Sequence, residues 1–361
     1  MFYRSNNMIN QLLPTLSYGD AVSNSAVNMM KVLRSMGLKS NIYAQNIHPK
    51  MTKYAQHADS CPKNYPVIYH HSTGSELSYT IPNFTNTKVL VYHNVTPPSF
   101  FAGYSGTMQR LCQEGRDQLT FLSEHMDVSI AVSEYNRSEL LELGYKNTFI
   151  SPIIVNYEDY AEEPDQKLLK SLQDSPESKN ILFVGRIAPN KKQEDVIKSF
   201  YYYHKYINSN SKLTLVGSYG GMERYYSELV HLIEHLQLQD HVVITGHIPF
   251  TKILAYYKGS DLFLCMSEHE GFCVPIVEAM YFQLPIIAYK SSAIPDTLGN
   301  GGFLTTSKDY KSNAELMHIL LAEQELQDKL LANQRVQLQR FSKEAAINQF
   351  VAILKQNSII K

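Results

Sequence analysis

Short apolar runs alternate with longer stretches of helical periodicity in the second half of the chain, from Asn180 onward. The runs predict strands at residues 181–184, 213–216, 242–244, 262–266 and 285–288. The stretches between them predict helices at residues 192–206, 223–236 and 252–257, and one that begins near Pro275. Strands that alternate with helices in this way indicate βαβ units and a parallel sheet. Ligand-contacting loops are then expected along one edge of that sheet.

The first half shows the same alternation less regularly. Its predicted strands cover residues 40–44, 66–69, 88–92 and 128–132, and its helices cover residues 20–36, 108–126 and 134–143. The opening residues, 1–13, are too polar to predict a central strand. Residues 314–361 are predicted to be helical throughout.

A length of 361 residues favours two domains over a single core. We predict an N-terminal domain at residues 1–163 and a C-terminal domain at residues 164–342. Two polar stretches, residues 158–165 and 173–179, are alternative positions for the linker. A last helix, at about residues 343–361, is expected to pack back on the N-terminal domain.

Composition narrows the function classes. A formal net charge of −1 gives no indication of nucleic-acid binding. The first residues lack the apolar segment of a signal peptide, and no apolar run is long enough to cross a bilayer. The 4 cysteines show no CxxC pair and no metal-ligand spacing, so reduced core thiols in a cytoplasmic protein are expected.

Two carboxylates stand out beside the apolar run at residues 262–266. Glu270 lies in the loop that leaves this strand, and Glu278 lies about one turn into the helix that begins near Pro275. Both are therefore expected at the carboxyl end of a parallel sheet, where open α/β folds bind ligands. Taken alone, an acidic first turn that complements the helix dipole explains them equally well.

Cations follow the first strand of the second half. Arg186 comes directly after Gly185, and Lys191 and Lys192 open the next helix. Lysines at a helix start oppose the dipole, which indicates a nearby anion, and a diphosphate fits the guanidinium and the ammonium. A solvated turn with ordinary surface charges is the alternative explanation.

The Gly-Arg-x-x-x-x-Lys turn at Gly185 and the later Glu-x7-Glu at Glu270 together resemble family 4 retaining glycosyltransferases of the GT-B architecture. Segments that are also similar to this family are Leu215-Val216-Gly217, residues 244–249, residues 294–299, residues 19–24 and residues 92–97. The branch that they resemble builds bacterial surface polysaccharides. The resemblance implies an α/β fold with two Rossmann-like domains whose parallel sheets face each other across a cleft.

The resemblance also implies roles for individual residues. Arg186 and Lys191 would hold the donor diphosphate, Glu270 would contact the transferred sugar, and Glu278 would bind the ribose hydroxyls. His93 would lie near the reacting sugar and counts with Glu270 as catalytic. The remaining expected donor contacts are the backbone at Gly271, Phe272, Cys273 and Val274, the nucleobase loop at His247 and Ile248, and Gly19. Acceptor contacts are expected at Asp20, His71 and Arg116, although His71 and Arg116 are explained as well by a role-free histidine and a solvated helix face.

Two departures from the family pattern matter. The glycine-rich first loop is reduced to Tyr18-Gly19-Asp20, which limits backbone approach to the phosphates. Cys273 stands where the family often has glycine, a change that a backbone amide contact survives.

The implied reaction transfers a hexosyl group, with retention, from a UDP- or GDP-linked sugar to a saccharide or lipid-linked oligosaccharide acceptor. No cofactor or metal is expected, because the chain contains no Asp-x-Asp pair. A nucleotide-sugar epimerase, a phosphorylase of the same fold and a catalytically silent binding subunit are the alternatives. Peripheral contact with the inner face of the plasma membrane is compatible with the tyrosine and lysine content.

Overall fold

The computed structural model describes residues 8–175 and 177–361. The chain divides into two compact units. The first unit contains the described part of Met1–Ser99 together with Thr107–Asn156 and Phe341–Lys361. The second contains Phe100–Gly106 and the described part of Tyr157–Arg340.

A 7-stranded sheet forms the centre of the first unit as described, and its neighbouring strands pair in parallel. Its strands are β1 (Met8–Leu16), β2 (Lys39–Ile47), β3 (Ala55–His57), β4 (Val67–His71), β5 (Lys88–Tyr92), β6 (Val128–Ala131) and β7 (Thr148–Ile150). They are ordered β3-β2-β1-β4-β5-β6-β7. The order reverses between β1 and β4, and a reversal of this kind marks the place where doubly wound sheets bind ligands.

Helices connect these strands. They are α1 (Ala21–Ser35), α2 (Leu77–Thr80), α3 (Gly106–Leu122) and α4 (Glu134–Glu142). Asp20 caps α1 by accepting a hydrogen bond from the Ser23 amide, and Ser133 caps α4 in the same way through the Asn136 amide. Gly144 follows α4 with φ of 85°, a left-handed conformation that suits a glycine at the end of a helix.

The second unit repeats this design with a 6-stranded parallel sheet. Its strands are β8 (Lys179–Val184), β9 (Ser211–Val216), β10 (Val242–Ile244), β11 (Leu262–Cys265), β12 (Ile286–Tyr289) and β13 (Phe303–Thr305). The order is β10-β9-β8-β11-β12-β13, which is the Rossmann order, with its reversal between β8 and β11. Its helices are α5 (Gln166–Gln173), α6 (Gln193–Tyr206), α7 (Glu223–His235), α8 (Phe250–Gly259), α9 (Val274–Tyr281), α10 (Ile294–Leu298), α11 (Tyr310–Ala322) and α12 (Gln324–Arg340).

The last helix, α13 (Lys343–Gln356), belongs to the first unit. Gln349 donates a hydrogen bond to the Ile150 carbonyl at 2.7 Å, and Lys343 donates one to Asn156 at 3.0 Å. The tail predicted to be helical throughout consists of three helices, α11 to α13, separated by short breaks.

The α/β class with two Rossmann-like units is confirmed, and each strand predicted in the second half overlaps an observed one. The interpretation of residues 1–13 was wrong for its described part, because β1 is a central strand. Its polar residues Asn10 and Gln11 are fully buried, and Gln11 is paired with His70, a long-range contact that the local pattern does not show. Residues 1–7 lie outside the described residues.

All four cysteines are free and buried, as predicted. Among the described residues, no helix combines the length and the apolar character that a bilayer crossing requires.

Candidate active site

The reversal of strand order in the second unit brings two loops together. β8 and β11 are hydrogen-bonded neighbours, and their carboxyl ends lead into the loops that carry Lys191 and Glu270. The Asn190 side-chain amide donates to the His269 carbonyl at 3.0 Å, and the Glu268 amide donates to the Asn190 carbonyl at 2.9 Å. These bonds fix one loop against the other.

Lys191 and Glu270 form an ion pair at this place. The Lys191 Nζ lies 2.5 Å from Glu270 Oε2, and the Glu270 amide donates to Ser292 Oγ at 2.7 Å. Glu270 is only 7% exposed. Burial is the largest single influence and lowers the pKa of Lys191. The charge of Glu270, its hydrogen bond and the two neighbouring cysteines together outweigh burial, so the pKa is raised and the ammonium is retained. The sequence predicted both residues here, but it did not predict their pairing.

Further ion pairs flank this pair. Lys192 Nζ lies 3.4 Å from Glu194 and 3.6 Å from Glu268, and Lys308 Nζ lies 2.6 Å from Asp195 and also contacts Glu268. The anion that Lys192 was expected to require is thus supplied, at least in part, by carboxylates of the same unit. Lys308 was not predicted from the sequence, because it follows the short strand β13 and belongs to no motif.

Helix α9 begins at the end of the β11 loop, with Pro275 in its first turn. Cys273 precedes the helix in the left-handed region, with φ of 68°, a conformation that favours glycine. Phe272 and Cys273 are buried, whereas Gly271 and Val274 are half-buried. The Phe272 carbonyl accepts a hydrogen bond from Thr297 Oγ1 at 2.5 Å. In this first turn Pro275 carries no N–H, and the Ile276 amide donates to the Cys273 carbonyl at 3.0 Å. The start of a helix still favours a bound anion through its dipole and the amides that lead into it.

Glu278 lies one turn into α9 and is bound by two tyrosines. Tyr160 donates its hydroxyl to Oε1 at 2.9 Å, and Tyr257 donates to Oε2 at 2.7 Å. Burial raises the pKa of Glu278, and the two hydrogen bonds partly oppose that rise. Each carboxylate oxygen has a second lone pair with which it can accept a bond from a ligand hydroxyl. Tyr160 and Tyr257 were not predicted from the sequence, because nothing in its pattern links them to Glu278.

The other predicted donor contacts of this unit are more open. Arg186 is exposed and donates through Nη2 to the Gly220 carbonyl at 2.9 Å. His247 is exposed and Ile248 is half-buried, in the loop after β10. That loop is connected to the one after β9 by a bridge between Gly246 and Gly217.

Gly19 and Asp20 follow β1 at the reversal of strand order in the first unit. Gly19 is exposed with φ of 75°, and a Cβ placed on it would meet no atom within 4 Å. Asp20 accepts hydrogen bonds from both the amide and the hydroxyl of Ser23 at 2.9 Å. The side chain predicted to contact an acceptor thus caps α1 in the structure.

His93 follows β5 and is buried with a second histidine. Its Nε2 lies 2.9 Å from His70 Nδ1, and His70 Nε2 lies 2.8 Å from Gln11 Oε1. Burial, with the neighbouring histidines adding to it, lowers the pKa of His93 well below its ordinary value. The ring is therefore neutral, and Nδ1 is buried without a partner in the described structure. His93 was predicted as a site residue from the sequence, but its hydrogen bond to His70 and the bond from His70 to Gln11 were not.

His71 and Arg116, the remaining predicted acceptor contacts, are bonded within the first unit. His71 is fully buried, and its Nε2 lies 2.8 Å from the Gly115 carbonyl. Arg116 donates to the Val95 carbonyl at 2.9 Å and pairs with Glu139 at 3.3 Å. The solvated helix face offered as the alternative does not describe Arg116, since its guanidinium pairs with Glu139 of α4.

Comparison with known sequences supports a single protein family. Residues 165–337 match the family model described as glycosyl transferases group 1. The chain is 27% identical over 242 residues to N-acetyl-alpha-D-glucosaminyl L-malate synthase of Bacillus anthracis, a match that covers 65% of this chain and 61% of that protein. It is 21% identical over 364 residues to O-antigen chain mannosyltransferase B of Escherichia coli, covering 97% and 88%. It is 29% identical over 168 residues to the capsular polysaccharide biosynthesis glycosyltransferase CapM of Staphylococcus aureus, covering 45% and 42%.

Solved structures show the same fold. Anabaena HepE in complex with UDP and glucose superposes with a TM-score of 0.75 at 17% identity, covering 97% of this chain and 99% of that one. A glycosyltransferase from Rickettsia africae gives a TM-score of 0.74 at 19% identity, with 99% of each chain covered. Such low identities establish the fold alone, and the fold is GT-B, as the sequence predicted.

Proposed function

Because the chain belongs to the group 1 glycosyltransferases, of the GT-B surface-polysaccharide type, we propose that it transfers a hexosyl group with retention. The donor is a nucleotide diphosphate sugar linked to UDP or GDP. The acceptor is a saccharide, and a lipid-linked oligosaccharide is its more specific form. The relatives named for O-antigen and capsule synthesis support this assignment, and so does the fold shared with a protein solved with UDP and glucose.

The Lys191–Glu270 ion pair beside the start of α9 is the observation that carries the proposal. Cleavage of a sugar–diphosphate bond develops negative charge on the leaving oxygen and positive charge at the anomeric carbon. Lys191 and the positive end of the α9 dipole suit the first charge, and Glu270 suits the sugar hydroxyls and the second charge. A donor diphosphate would draw the ammonium toward itself, which leaves a Glu270 oxygen free to accept from the sugar.

Other residues would bind the remainder of the donor. Glu278, already oriented by two tyrosine hydroxyls, would accept hydrogen bonds from the ribose. Arg186 would contribute its guanidinium to the diphosphate, and the loop at His247 and Ile248 would pack on the nucleobase. Gly19 would allow the backbone after β1 to approach the phosphates.

Retention would follow from substitution on one face of the sugar, with the departing phosphate oxygen taking the acceptor proton. Glu270 would then act by positioning and charge stabilisation and form no covalent bond, unlike the nucleophile of a retaining glycosidase. His93 would hydrogen-bond the sugar through its buried ring. Asp20, His71 and Arg116 are engaged inside the first unit, so we assign them at most an indirect part in holding the acceptor.

A thermal-shift screen against UDP, GDP and ADP sugars should identify the donor, and release of the nucleoside diphosphate should then be measured with saccharide acceptors. Acceptor-dependent release supports the proposal, and proton NMR of the product reports whether the anomeric configuration is retained. Glu270→Gln is the matched negative control, because it keeps the shape of the side chain and removes its charge. Activity that persists in a metal chelator would support a reaction independent of metal.

Three other results would contradict transfer. Isomerisation of the sugar with donor alone would indicate an epimerase, and phosphate-dependent cleavage of a glycoside would indicate a phosphorylase. Donor binding without release for any acceptor would indicate a binding subunit.

A further inference from the structure

Two thiols and a carboxylate converge next to the ion pair. The Sγ atoms of Cys265 and Cys273 and a carboxylate oxygen of Glu270 all lie within 4.8 Å of one another. The three residues are 1%, 5% and 7% exposed, respectively, and both thiols are free. Nothing in the proposed transfer reaction uses either thiol.

The local fold creates this convergence from one short segment. Cys265 is the last residue of β11, Cys273 directly precedes α9, and Glu270 lies in the loop between them. Cys273 adopts φ of 68°, where glycine would avoid the cost of a Cβ in the left-handed region. Its side chain nevertheless faces the end of the neighbouring strand. Seven residues separate the two cysteines in the sequence, so a search for CxxC spacing misses them.

The donor atoms have the composition of a metal site. Thiolate sulfur and carboxylate oxygen bind Zn²⁺ at about 2.3 Å and about 2.0–2.2 Å, and three protein ligands with one open position are typical of non-structural zinc sites. Ligand atoms around such an ion lie roughly 3.3–3.8 Å apart. The observed group, with separations of at most 4.8 Å, needs a contraction of no more than about 1.5 Å.

Charge balance also favours a divalent cation. Two thiolates and one carboxylate carry three negative charges, and a divalent ion plus the Lys191 ammonium carries three positive charges. The 2.5 Å contact of Lys191 with Glu270 Oε2 orients the carboxylate in the way that outer-sphere partners orient metal ligands. Ser267 Oγ lies 3.4 Å from Cys265 Sγ and adds a second outer contact. A buried site of this kind is neutral as a whole, which a buried site requires.

We propose that Cys265, Cys273 and Glu270 bind one thiophilic divalent cation of the Zn²⁺ class, with Lys191 as an outer-sphere partner and water in the fourth position. The metal is an inhibitor of transfer and takes no part in it, since it withdraws Glu270 from the sugar. This effect on turnover rests on the proposed function, whereas binding itself does not.

Cobalt titration of the full chain, kept reduced with a phosphine, tests the site directly. Co²⁺ should bind with a stoichiometry of one per chain and produce the charge-transfer absorption of cobalt–thiolate bonds. Zn²⁺ should displace it, and competition with a chromophoric chelator should give the Zn²⁺ affinity. Cys265→Ala should weaken that affinity by at least about 100-fold, because it removes a direct ligand. Cys112→Ala, which removes a buried thiol of the first unit, is the matched control and should leave the affinity unchanged.

A second variant distinguishes the loss of a metal ligand from misfolding of the protein. Cys273→Gly suits the left-handed backbone, so it should fold and still lose the affinity and the absorption. Absence of a cobalt–thiolate band in the parent, or Cys265→Ala binding Zn²⁺ within about threefold of the parent, would overturn the site.

Zn²⁺ should also inhibit nucleotide release in the parent, and a chelator should restore it. Equal inhibition in Cys265→Ala would overturn the link to turnover. Absence of transfer with every donor would refute the proposed function and leave the cobalt result valid.

Discussion

His70 and His93 share one hydrogen bond, with Nδ1 of His70 lying 2.9 Å from Nε2 of His93. Gln11 Oε1, an acceptor, lies 2.8 Å from the other nitrogen of His70. Burial lowers the pKa of His70 to about 3, so its ring is neutral at pH 7. His70 therefore donates from Nε2 to Gln11 and accepts at Nδ1, and His93 donates from Nε2. His93 Nδ1 is left as an acceptor, buried and without a partner in the described structure.

Replacing His70 with phenylalanine should disturb this arrangement without changing the volume greatly. The Nε2–H of His93 and the side-chain oxygen Oε1 of Gln11 would be left buried and unpaired, which lowers the unfolding free energy by about 1–3 kcal/mol. Urea denaturation measures that loss, and nitrogen NMR of histidine side chains should show a changed tautomer distribution at His93. Gln11→Leu is the partner variant, because it removes the outer bond and leaves the contact between the two histidines. A His93 tautomer signal that is the same in His70→Phe and the parent would refute the proposal that the hydrogen bond with His70 fixes the tautomer of His93.

Acid should destabilise the first unit through its buried histidines. Burial lowers the pKa of His71 to about 4, although its hydrogen bond with the Gly115 carbonyl partly opposes the shift. In an unfolded chain a histidine has a pKa of about 6.5. Below that pH the unfolded state binds protons that the folded state does not, so the unfolding free energy falls as the pH drops toward 4. Each such histidine adds a slope of about 1.4 kcal/mol per pH unit.

His71→Gln isolates one of these contributions. The glutamine amide nitrogen takes the position of Nε2 and can still donate to the Gly115 carbonyl, but it does not titrate. Stability at pH 7 should change by less than about 1 kcal/mol, and the slope between pH 6 and pH 4.5 should decrease by about 1.4 kcal/mol per unit. Urea unfolding at a series of pH values gives both quantities. An unchanged slope would mean that His71 is protonated alike in the folded and unfolded states.

Local patterns were sufficient for most of the fold. The apolar run at residues 262–266, the turn and Pro275 predict a strand, a loop and a helix start, and all three occur in that order. Such signals depend on residues close in sequence, which is why they can be found without a structure. Strand β1 was missed for the opposite reason: Asn10 and Gln11 are polar by composition, and the partner that makes Gln11 tolerable, His70, is distant in the chain.

In the candidate site, too, some features could be predicted from the local sequence, whereas others depend on residues distant in the chain. Glu270 and Lys191 could be predicted because each follows a strand of a parallel sheet, but their pairing depends on β8 and β11 being neighbours. The hydroxyls that bind Glu278 come from two other segments, and the thiol of Cys273 reaches Cys265 only because the loop folds back. Contacts of this kind arise from tertiary packing, so they cannot be predicted from the spacing of residues in the sequence.

Breaking the Lys191–Glu270 pair should be costly from either side. Lys191→Met leaves a buried carboxylate without its cation, with an expected loss of up to about 3–5 kcal/mol. Glu270→Gln leaves the ammonium unpaired, although the half-buried lysine can turn toward solvent. The double variant should lose less than the sum, with a coupling energy of about 0.5–3 kcal/mol. Urea unfolding of the four proteins measures the cycle.

Lys192→Met is the control for this cycle. Its Nζ lies 3.4 Å and 3.6 Å from its carboxylates and is more exposed, so its loss should cost less than about 1 kcal/mol. Strict additivity of the Lys191 and Glu270 substitutions would show that the contact carries no energy. In the transfer reaction Glu270→Gln should mainly lower kcat, with a small effect on the Kd for the nucleotide.

Donor binding should depend on Glu278 and Arg186, which the proposal assigns to the ribose and the diphosphate. Removing a charged hydrogen-bonding partner of a ligand costs about 1.5–3 kcal/mol, so Glu278→Ala and Arg186→Ala should each weaken the nucleoside diphosphate by about 10- to 100-fold. Calorimetry with UDP and GDP measures the affinity.

Glu228→Ala is the control for Glu278→Ala, because Glu228 also accepts a tyrosine hydroxyl, at 2.9 Å from Tyr104. Arg224→Ala is the control for Arg186→Ala, since Arg224 also donates to a backbone carbonyl, that of Gly103 at 2.8 Å. Both controls should bind with the parent's affinity. Parent-like affinity in both Glu278→Ala and Arg186→Ala as well would refute the donor site in the second unit.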